Sequence, residues 1–210
     1  GPSRTVPGVE CQAASDELLR CLISVLQTKE RATLAHSVRT SAMARAYAHG
    51  LSLPLSQIDA LGAAALLHDI GKICIPNRIL LKREVLFPGE WLLLKEHVEV
   101  GARILAVVGM DPLVVETVRN HHERFDGTGY PRGAKGEQIP LLARLLAIAD
   151  CFDAMTSVRP YRDAWSAEDV MRHICSKAGT QFDPQLVAML CALPASTWLA
   201  RARRFSIGLK

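Results

Sequence analysis

Histidine and aspartate residues recur in this chain at the predicted ends of helices, in pairs that metal ions could use. His68-Asp69 and His121-His122 are adjacent pairs, and each falls where a helical pattern ends. Neighbouring side chains on an α-helix point about 100° apart, because one turn takes about 3.6 residues. An adjacent pair therefore suits a metal only at a helix end, or where it faces a cluster of two metal ions.

Three further residues extend this set. His36 and His97 lie within predicted helices, and Asp150 interrupts the apolar run LLAIADCF, where a carboxylate is costly unless it is paired or binds metal. Five imidazoles and two carboxylates exceed what one metal ion with room for substrate would use, so they predict two ions that share Asp69. Mixed imidazole and carboxylate ligands suit iron, manganese or zinc. The set contains no thiolate, which argues against a structural zinc site.

A glycine-rich stretch, HHERFDGTGYP, begins with the second histidine pair. Gly127 and Gly129 allow a tight turn and a close approach of the backbone to a ligand, and Pro131 stiffens the exit. Tyr130 would then present its ring or its hydroxyl to a nucleotide. Asp126 has two candidate roles: it hydrogen-bonds a ligand histidine and fixes its tautomer, or it caps the loop.

Helical periodicity recurs along almost the whole chain, and no stretch alternates convincingly as a strand would. Two longer loops, residues 71–89 and 125–138, separate the helical segments, and long loops in compact domains tend to carry function. The sequence therefore predicts an all-α fold. The predicted helical segments are SDELLRCLISVLQTKER, LAHSVRTSAMARAYAHGL, LSQIDALGAAALLH, PGEWLLLKEHVEVGARILAVV, PLVVETVRNHHE, PLLARLLAIADCFDAMTS, SAEDVMRHICSKAG and DPQLVAMLCAL.

Composition narrows the class of protein. The chain has 210 residues, 49% of them hydrophobic, which suits one domain with a sizeable core. A net charge of +4 does not indicate a polynucleotide-binding protein but suits a small anionic ligand. No apolar run approaches the ~18–20 residues of a membrane span. The six cysteines are scattered without a CxxC pair, so we expect reduced thiols and a cytoplasmic protein.

The ends of the chain differ from its middle. We expect residues 1–10 to be a cloning scar and linker, 11–195 the domain, and 196–210 a basic tail. The chain is accordingly expected to start within a longer protein that carries an upstream regulatory domain. The apolar segment LLRCLISVL either forms a homodimer or packs on its own domain.

Four motifs together resemble the HD-GYP family, a branch of the HD-domain phosphohydrolases. They are LLHDIGKICIPNRIL, HHERFDGTGYP, AIADCFDAMTSVRPYR and AGTQFDP, within a match that covers most of the chain from residue 34 to residue 190. The resemblance implies an HD-domain helical bundle with a metal centre in its core and the GYP loop at the mouth of the site. It also implies hydrolysis of cyclic di-GMP to pGpG, and in many members onward to GMP, at a non-haem centre that often holds iron or manganese.

Carried over by motif position, the resemblance implies two metal sites. One takes His36, His68, Asp69 and Asp150, and the other takes Asp69, His97, His121 and His122. Three-metal members of the family carry a glutamate one turn before the first histidine. That position is Ala32 here, so we expect two metal ions per chain.

The resemblance also assigns contacts with the substrate. Lys72 of HDIGK would approach the scissile phosphate, and Arg159 and Arg162 of RPYR would meet phosphates or a guanine. A metal-bridging hydroxide would attack phosphorus in line, while Lys72 stabilises the developing charge and the departing 3′-oxygen. The signature loop comprises Gly129, Tyr130 and Pro131.

Two alternatives to this enzyme stay open. The first is a degenerate receptor that binds cyclic di-GMP, or a partner diguanylate cyclase domain, through the GYP loop without turnover. The intact ligand set and Lys72 favour the enzyme over this receptor. The second is an HD hydrolase that acts on another nucleotide, such as a different cyclic dinucleotide or pGpG itself.

Overall fold

The computed structural model describes residues 31–157 and 163–206, together with Glu17, Cys21 and residues 23–25. Within these residues the chain is helical and contains no strand, so the all-α prediction is confirmed. Short 3-10 helices occur at Ile70–Cys74 and Gly136–Gln138. The α-helices are α1 (Arg31–Gly50), α2 (Leu55–Leu67), α3 (Asn77–Leu80), α4 (Pro88–Lys95), α5 (His97–Val107), α6 (Pro112–Asn120), α7 (Leu141–Thr156), α8 (Ala167–Ser176), α9 (Pro184–Cys191) and α10 (Ala195–Ser206).

Helix α1 lies at the centre of the bundle and packs against α2, α7 and α10. Small side chains let these helices approach closely: Ala44 and Ala46 of α1 are fully buried. The Ser41 hydroxyl donates a hydrogen bond of 2.8 Å to the carbonyl oxygen of Gly62 on α2. A Cβ at Gly62 would lie only 2.0 Å from Arg45 Nε, so the glycine leaves room for the Arg45 side chain in its present position.

Local signals in the sequence start several of the helices. The Asp111 carboxylate accepts from the backbone N–H of Leu113 ahead of α6, and the Ser166 hydroxyl accepts from that of Asp169 ahead of α8. Asp183 caps α9 in the same way. Each cap satisfies a backbone donor that the first helical turn leaves unpaired.

The predicted continuous helix over residues 88–108 was wrong. The structure divides it at Glu96 into α4 and α5. Helix α4 buries none of its residues, whereas α5 buries a full stripe that includes His97 and Leu105. The break lets α5 follow the core while α4 lies on the surface.

The prediction that all the cysteines are reduced was also wrong. Cys175 of α8 and Cys191 of α9 form a disulfide, although 16 residues separate them in the sequence. Cys21, Cys74 and Cys151 are not disulfide-bonded. The turn between α8 and α9 brings the bonded pair together, and cysteine spacing alone carries no sign of this packing.

Helix α10 falls within the end of the chain where a basic tail was expected. Its Trp198 is buried, packs edge-on against Tyr47 of α1 at 5.3 Å between ring centroids, and donates its indole N–H to the carbonyl oxygen of Leu190. Arg203 and Arg204 on the same helix are exposed. One face of the segment therefore belongs to the core, while its basic residues face solvent.

Two predictions concern the chain's start and its relation to membranes. Most of the first predicted helix, and with it the suggested dimer contact, lies outside the described residues. In the described part of the chain, no helix has the length and apolar character that crossing a bilayer requires.

Candidate metal centre

The two adjacent pairs lie at helix ends, as the sequence predicted. His68 follows the last residue of α2, and Asp69 begins the 3-10 helix with φ −95° and ψ 5°. His121 likewise follows the last residue of α6. Because the helical path ends there, consecutive side chains can reach one cluster.

The histidines and Asp69 form two groups whose candidate ligand atoms lie within 4.8 Å of one another. One group comprises His36, His68 and Asp69, and the other comprises His97, His121 and His122. This division agrees with the two sets that the motifs implied. The binding of metal by these residues stays a prediction.

Asp69 lies between the two groups. Its Oδ2 is 3.5 Å from His68 Nε2, and its Oδ1 is 3.6 Å from His97 Nε2. Asp150 completes the first group, with its Oδ1 2.9 Å from His36 Nε2 and 3.9 Å from His68 Nε2. One carboxylate oxygen of Asp69 thus faces each group, which is what a bridging ligand requires.

Backbone carbonyls fix the orientation of three rings. The Nδ1 atoms of His68, His97 and His121 lie 2.7, 2.7 and 2.6 Å from the carbonyl oxygen three residues earlier. A carbonyl only accepts, so each Nδ1 carries the proton and each Nε2 presents a lone pair. Ligand histidines are typically held by such a bond.

Two of these lone pairs have no partner in the described part of the chain. The Nε2 atoms of His97 and His121 are buried and make no hydrogen bond there. A buried polar atom without a partner costs free energy, and a metal ion would satisfy both. The residues present therefore fit a metal centre.

Burial sets the charge of the second group. It lowers the pKa of His97, lowers that of His121 well below its usual value, and lowers that of His122 to about 4. Neighbouring histidines add to the effect on each ring. All three imidazoles are neutral at neutral pH, the form that binds metal.

The first group has the opposite electrostatics. Burial lowers the pKa of His36, but hydrogen bonds to Asp150 and Asp153 outweigh it and raise that pKa to about 9. Burial would raise the pKa of Asp69, yet the charge of Lys72 and the hydrogen bond that it donates hold that pKa well below its usual value. Asp69 is therefore an ionised carboxylate.

Lys72 reaches the cluster from the 3-10 helix. Its Nζ donates a 2.7 Å hydrogen bond to Asp69 Oδ2, and its side chain is one quarter exposed. The preceding Gly71 is buried against α5, where a Cβ would lie 1.9 Å from the carbonyl oxygen of His97. Only a glycine lets the two elements approach this closely.

The GYP loop folds back onto the second histidine group. The Tyr130 N–H donates to the carbonyl oxygen of His122 at 3.2 Å, and the two rings lie 4.9 Å apart. A Cβ at Gly129 would lie 2.3 Å from Arg124 N. The Tyr130–Pro131 bond is cis. The loop therefore positions a protonated tyrosine beside the ring of His122, since burial raises the pKa of Tyr130.

Comparison with known proteins identifies the family. The model of a family described as HD domain matches residues 20–186, well over half of the chain. The chain belongs to the HD domain family. Its resemblance to HD-GYP proteins, which the motifs indicated, is confirmed by the relatives that it matches.

Two curated relatives and one solved structure illustrate the match. This HD domain is 44% identical over 162 residues to a cyclic di-GMP phosphodiesterase of Pseudomonas aeruginosa, covering 77% of this chain and 39% of the relative. It is 36% identical over 184 residues to the 3′3′-cGAMP-specific phosphodiesterase 2 of Vibrio cholerae, covering 87% of this chain and 35% of the relative. The chain spans less than half the length of these relatives.

The solved structure supports the fold alone. It is a cyclic GMP-AMP-specific phosphodiesterase of V. cholerae, with a TM-score of 0.64 and 23% identity. The match covers 92% of this chain and 50% of that chain. The HD domain architecture is thus shared although most residues differ.

Asp126 of this HD domain contacts its own loop. Its carboxylate accepts from the backbone N–H and hydroxyl of Thr128 and from Arg124. The hydrogen bonds from Thr128 lower its pKa to about 2. These contacts correspond to the loop cap, one of the two roles left open, and among the described residues no histidine bonds its carboxylate.

Asp153 is a further carboxylate that contacts His36. Its Oδ2 accepts from His36 Nδ1 at 2.7 Å, and its Oδ1 accepts from Arg39 Nε at 2.6 Å. It lies three residues after Asp150 on α7, so both face the same side of one helix. The three-residue spacing from Asp150 was the feature of the sequence that could have placed Asp153 at the site.

Two further findings complete the site. Glu123 is buried, and its Oε1 accepts from the backbone N–H of Arg132 at 2.7 Å, which closes the GYP loop. Sequence reasoning did not single it out. Arg159 and Arg162, the predicted phosphate or guanine contacts, lie outside the described residues.

Proposed function

We propose that this HD domain hydrolyses the phosphodiester bonds of cyclic di-GMP to pGpG, and onward to GMP. The observation that carries the proposal is the pair of neighbouring three-residue groups: Asp69 belongs to the first, its Oδ1 lies 3.6 Å from His97 of the second, and Lys72 is bonded to its carboxylate. Two metal positions beside a lysine are suited to phosphoryl chemistry. Relatives named as cyclic di-GMP phosphodiesterases support this substrate.

The cofactors proposed are two metal ions per chain, with iron or manganese as the preferred metals. When bound, such ions would lower the pKa of a shared water molecule and neutralise phosphate oxygens. His97, His121 and His122 would hold one ion, and His36, His68 and Asp150 the other, with Asp69 between them. No thiolate takes part in either described group, which distinguishes the site from a structural zinc site.

The chain's own residues would carry the remaining steps. Lys72 places its ammonium 2.7 Å from Asp69 Oδ2, so it lies where negative charge grows on the phosphate and on the departing 3′-oxygen. Tyr130, held on His122 by the loop, would present its ring or hydroxyl to the nucleotide. Asp153 would keep His36 in the tautomer that presents Nε2.

The hydrolysis of 3′3′-cGAMP should be compared directly with that of cyclic di-GMP, because the relatives are named for different substrates. Some are named for 3′3′-cGAMP and others for cyclic di-GMP. Both molecules are cyclic dinucleotides with two phosphodiester bonds. The metal centre would act on either, so specificity would depend on base contacts outside it.

The test combines metal analysis with turnover. Protein purified without oxygen would be assayed for iron, manganese and zinc, and its products from cyclic di-GMP and 3′3′-cGAMP would be separated by chromatography. We expect about two metals per chain and the formation of pGpG or GMP. Asp69→Ala should lose both the metal and the products.

Asp59→Ala provides the matched control, because Asp59 is exposed and pairs with Arg45 of α1. It should keep full metal content and activity. Iron and manganese would each be tried at full occupancy of the metal sites. Tight binding of cyclic di-GMP without any product would then contradict the proposed hydrolysis and favour the receptor hypothesis.

Several predictions about the chain's context remain predictions. They are a homodimer through the first helix, an upstream regulatory domain, a diguanylate cyclase partner and a cytoplasmic location. Size measurement of the full-length protein and co-purification with a cyclase domain would test the first and the third.

A further inference from the structure

Lys95 is a cation that lies over the ring of Tyr130, beside the second histidine group. It is the last residue of α4, it is half-buried, and its Nζ lies 5.1 Å from the centroid of the Tyr130 ring. That ring lies 4.9 Å from the ring of His122. Among the residues that the structure describes, Lys95 makes no hydrogen bond and no ion pair.

The break between α4 and α5 fixes Lys95 beside the metal ligands. The carbonyl oxygen of Leu94 holds His97 Nδ1 at 2.7 Å, so the backbone on either side of Lys95 is tied to a ligand. The rings of His97 and His122 lie 5.2 Å apart. One turn of chain therefore positions a ligand histidine and a lysine on neighbouring sides of the second group.

Lys95 and Lys72 differ in what they already bind. Lys72 donates to Asp69, so part of its charge is offset by a carboxylate of the centre. Among the described residues, Lys95 has a cation–π contact with the face of Tyr130, and such a contact leaves its N–H groups free to bond an anion. A half-buried ammonium with free donors gains most from a charged acceptor.

A cyclic dinucleotide supplies such an acceptor. Its ring contains two phosphodiesters, and only one can be placed over the metal centre for cleavage at a time. The other phosphate keeps its negative charge and must be bound by the protein or by water. Lys95, over the ring of Tyr130 and beside the second histidine group, is a cation that such a phosphate could reach.

We propose that Lys95 binds the phosphate of the cyclic dinucleotide that is not being cleaved, with Tyr130 holding the ammonium in place. The proposal rests on the proposed function, because it assumes that a cyclic dinucleotide lies over the metal centre. Lys95 is thus a substrate-positioning residue that distinguishes a cyclic dinucleotide from a phosphodiester with a single phosphate.

The test compares two substrates on two variants. Lys95→Met keeps the apolar stem and removes the charge, while Lys95→Arg keeps the charge and the contact with Tyr130. For Lys95→Met we expect KM for cyclic di-GMP to rise about 10- to 100-fold, as the loss of one charged hydrogen bond implies, with kcat nearly unchanged. Hydrolysis of bis(p-nitrophenyl) phosphate, which has one phosphate, should not change. Lys95→Arg should restore most of the affinity.

Lys135→Met is the control, because Lys135 is an exposed lysine of the loop that carries Tyr130. This variant should hydrolyse both substrates as the unmutated protein does. If Lys95→Met lost activity on both substrates in parallel, or lost bound metal, Lys95 would support the fold or the metal centre. Either result would overturn the proposal. An unchanged KM for cyclic di-GMP would overturn it as well.

Equilibrium binding separates this proposal from the proposed function. Titration of cyclic di-GMP into metal-loaded protein needs no turnover, and Lys95→Met should weaken that binding by the same factor. If the unmutated protein binds cyclic di-GMP but cleaves neither substrate, the enzyme is rejected while the titration still decides the role of Lys95. If it does not bind cyclic di-GMP at all, both proposals fail.

Discussion

His36 has both ring nitrogens in contact with carboxylates. Its Nε2 lies 2.9 Å from Asp150 Oδ1, and its Nδ1 donates to Asp153 Oδ2 at 2.7 Å. Arg39 holds Asp153 from the other side. When metal binds, Nε2 must lose its proton while Asp153 keeps the proton on Nδ1. Asp153 is therefore the group that orients this ligand.

Asp153→Ala should weaken metal binding without removing any ligand. Removal of a carboxylate that holds a ligand histidine typically lowers metal affinity by about 10- to 100-fold. The measurement is a competition between the protein and a chelator of known affinity for manganese. The thermal stability of the metal-free protein would be recorded alongside, since Arg39 also loses its partner.

Asp59→Ala again serves as the comparison, because it removes a carboxylate from an exposed ion pair. Manganese affinity should stay at the unmutated value in that variant. Equal affinity in Asp153→Ala and the unmutated protein would show that His36 needs no orienting carboxylate.

At the scale of elements, the ends of helices rather than their middles build most of the centre. The last turn of α2 leads into the 3-10 helix at Asp69, and the end of α6 leads into the GYP loop. Gly71 lets the 3-10 helix press against the first turn of α5, where His97 lies. The spacing of these elements therefore controls the spacing of the ligands.

Gly71→Ala should disturb stability and metal content together. A Cβ there would lie 1.9 Å from the carbonyl oxygen of His97, so α5 must move and take His97 with it. Overpacking of this kind costs about 1–3 kcal/mol of unfolding free energy or more. Chemical denaturation and metal analysis would measure the two effects.

Gly89→Ala is the matched substitution in α4, because a Cβ there would meet no atom within 4 Å. It should leave metal content unchanged and alter the free energy of unfolding by less than about 1 kcal/mol in either direction. If Gly71→Ala behaved like Gly89→Ala, the close contact with α5 would be unimportant.

At the scale of the whole molecule, α1 joins the centre to the far end of the chain. It carries His36, packs on α2 and α7, and is covered by α10. Trp198 of α10 is buried against Tyr47 of α1, and its indole N–H bonds to Leu190 of α9. The last helix therefore stabilises the element that carries a ligand without touching the centre.

Trp198→Ala should destabilise the fold and leave the centre intact. Truncation of a buried aromatic residue costs about 3–5 kcal/mol of unfolding free energy, and here a hydrogen bond is lost as well. Thermal unfolding would show the loss, while metal content measured well below the transition should remain normal. Trp91→Ala, at a position where the residue is 49% exposed, should change stability little. A similar melting temperature for both variants would contradict the role assigned to α10.

Much of the fold and of the centre could be predicted from the sequence, because the relevant signals are local. Apolar periodicity predicted α2 and α7 to within a residue or two, since each helix shows its buried face in its own residues. Adjacent His-Asp and His-His pairs at helix ends indicated residues that the structure brings together in groups able to hold a metal ion. Motif order then suggested how the ligands divide between two ions.

Only the tertiary structure decided which distant groups meet. His36 and Asp153 are 117 residues apart in the chain, and the sequence around one does not identify the other as its partner. The division of α4 from α5, the Cys175–Cys191 disulfide and the position of Lys95 over Tyr130 likewise depend on how whole helices pack. A residue's neighbours along the chain report its own helix face, whereas contacts between helices arise from the fit of many side chains at once. The helices and the candidate ligand residues could therefore be predicted from the sequence, while the contact of Asp153 with His36 and that of Lys95 with Tyr130 depended on the assembled bundle.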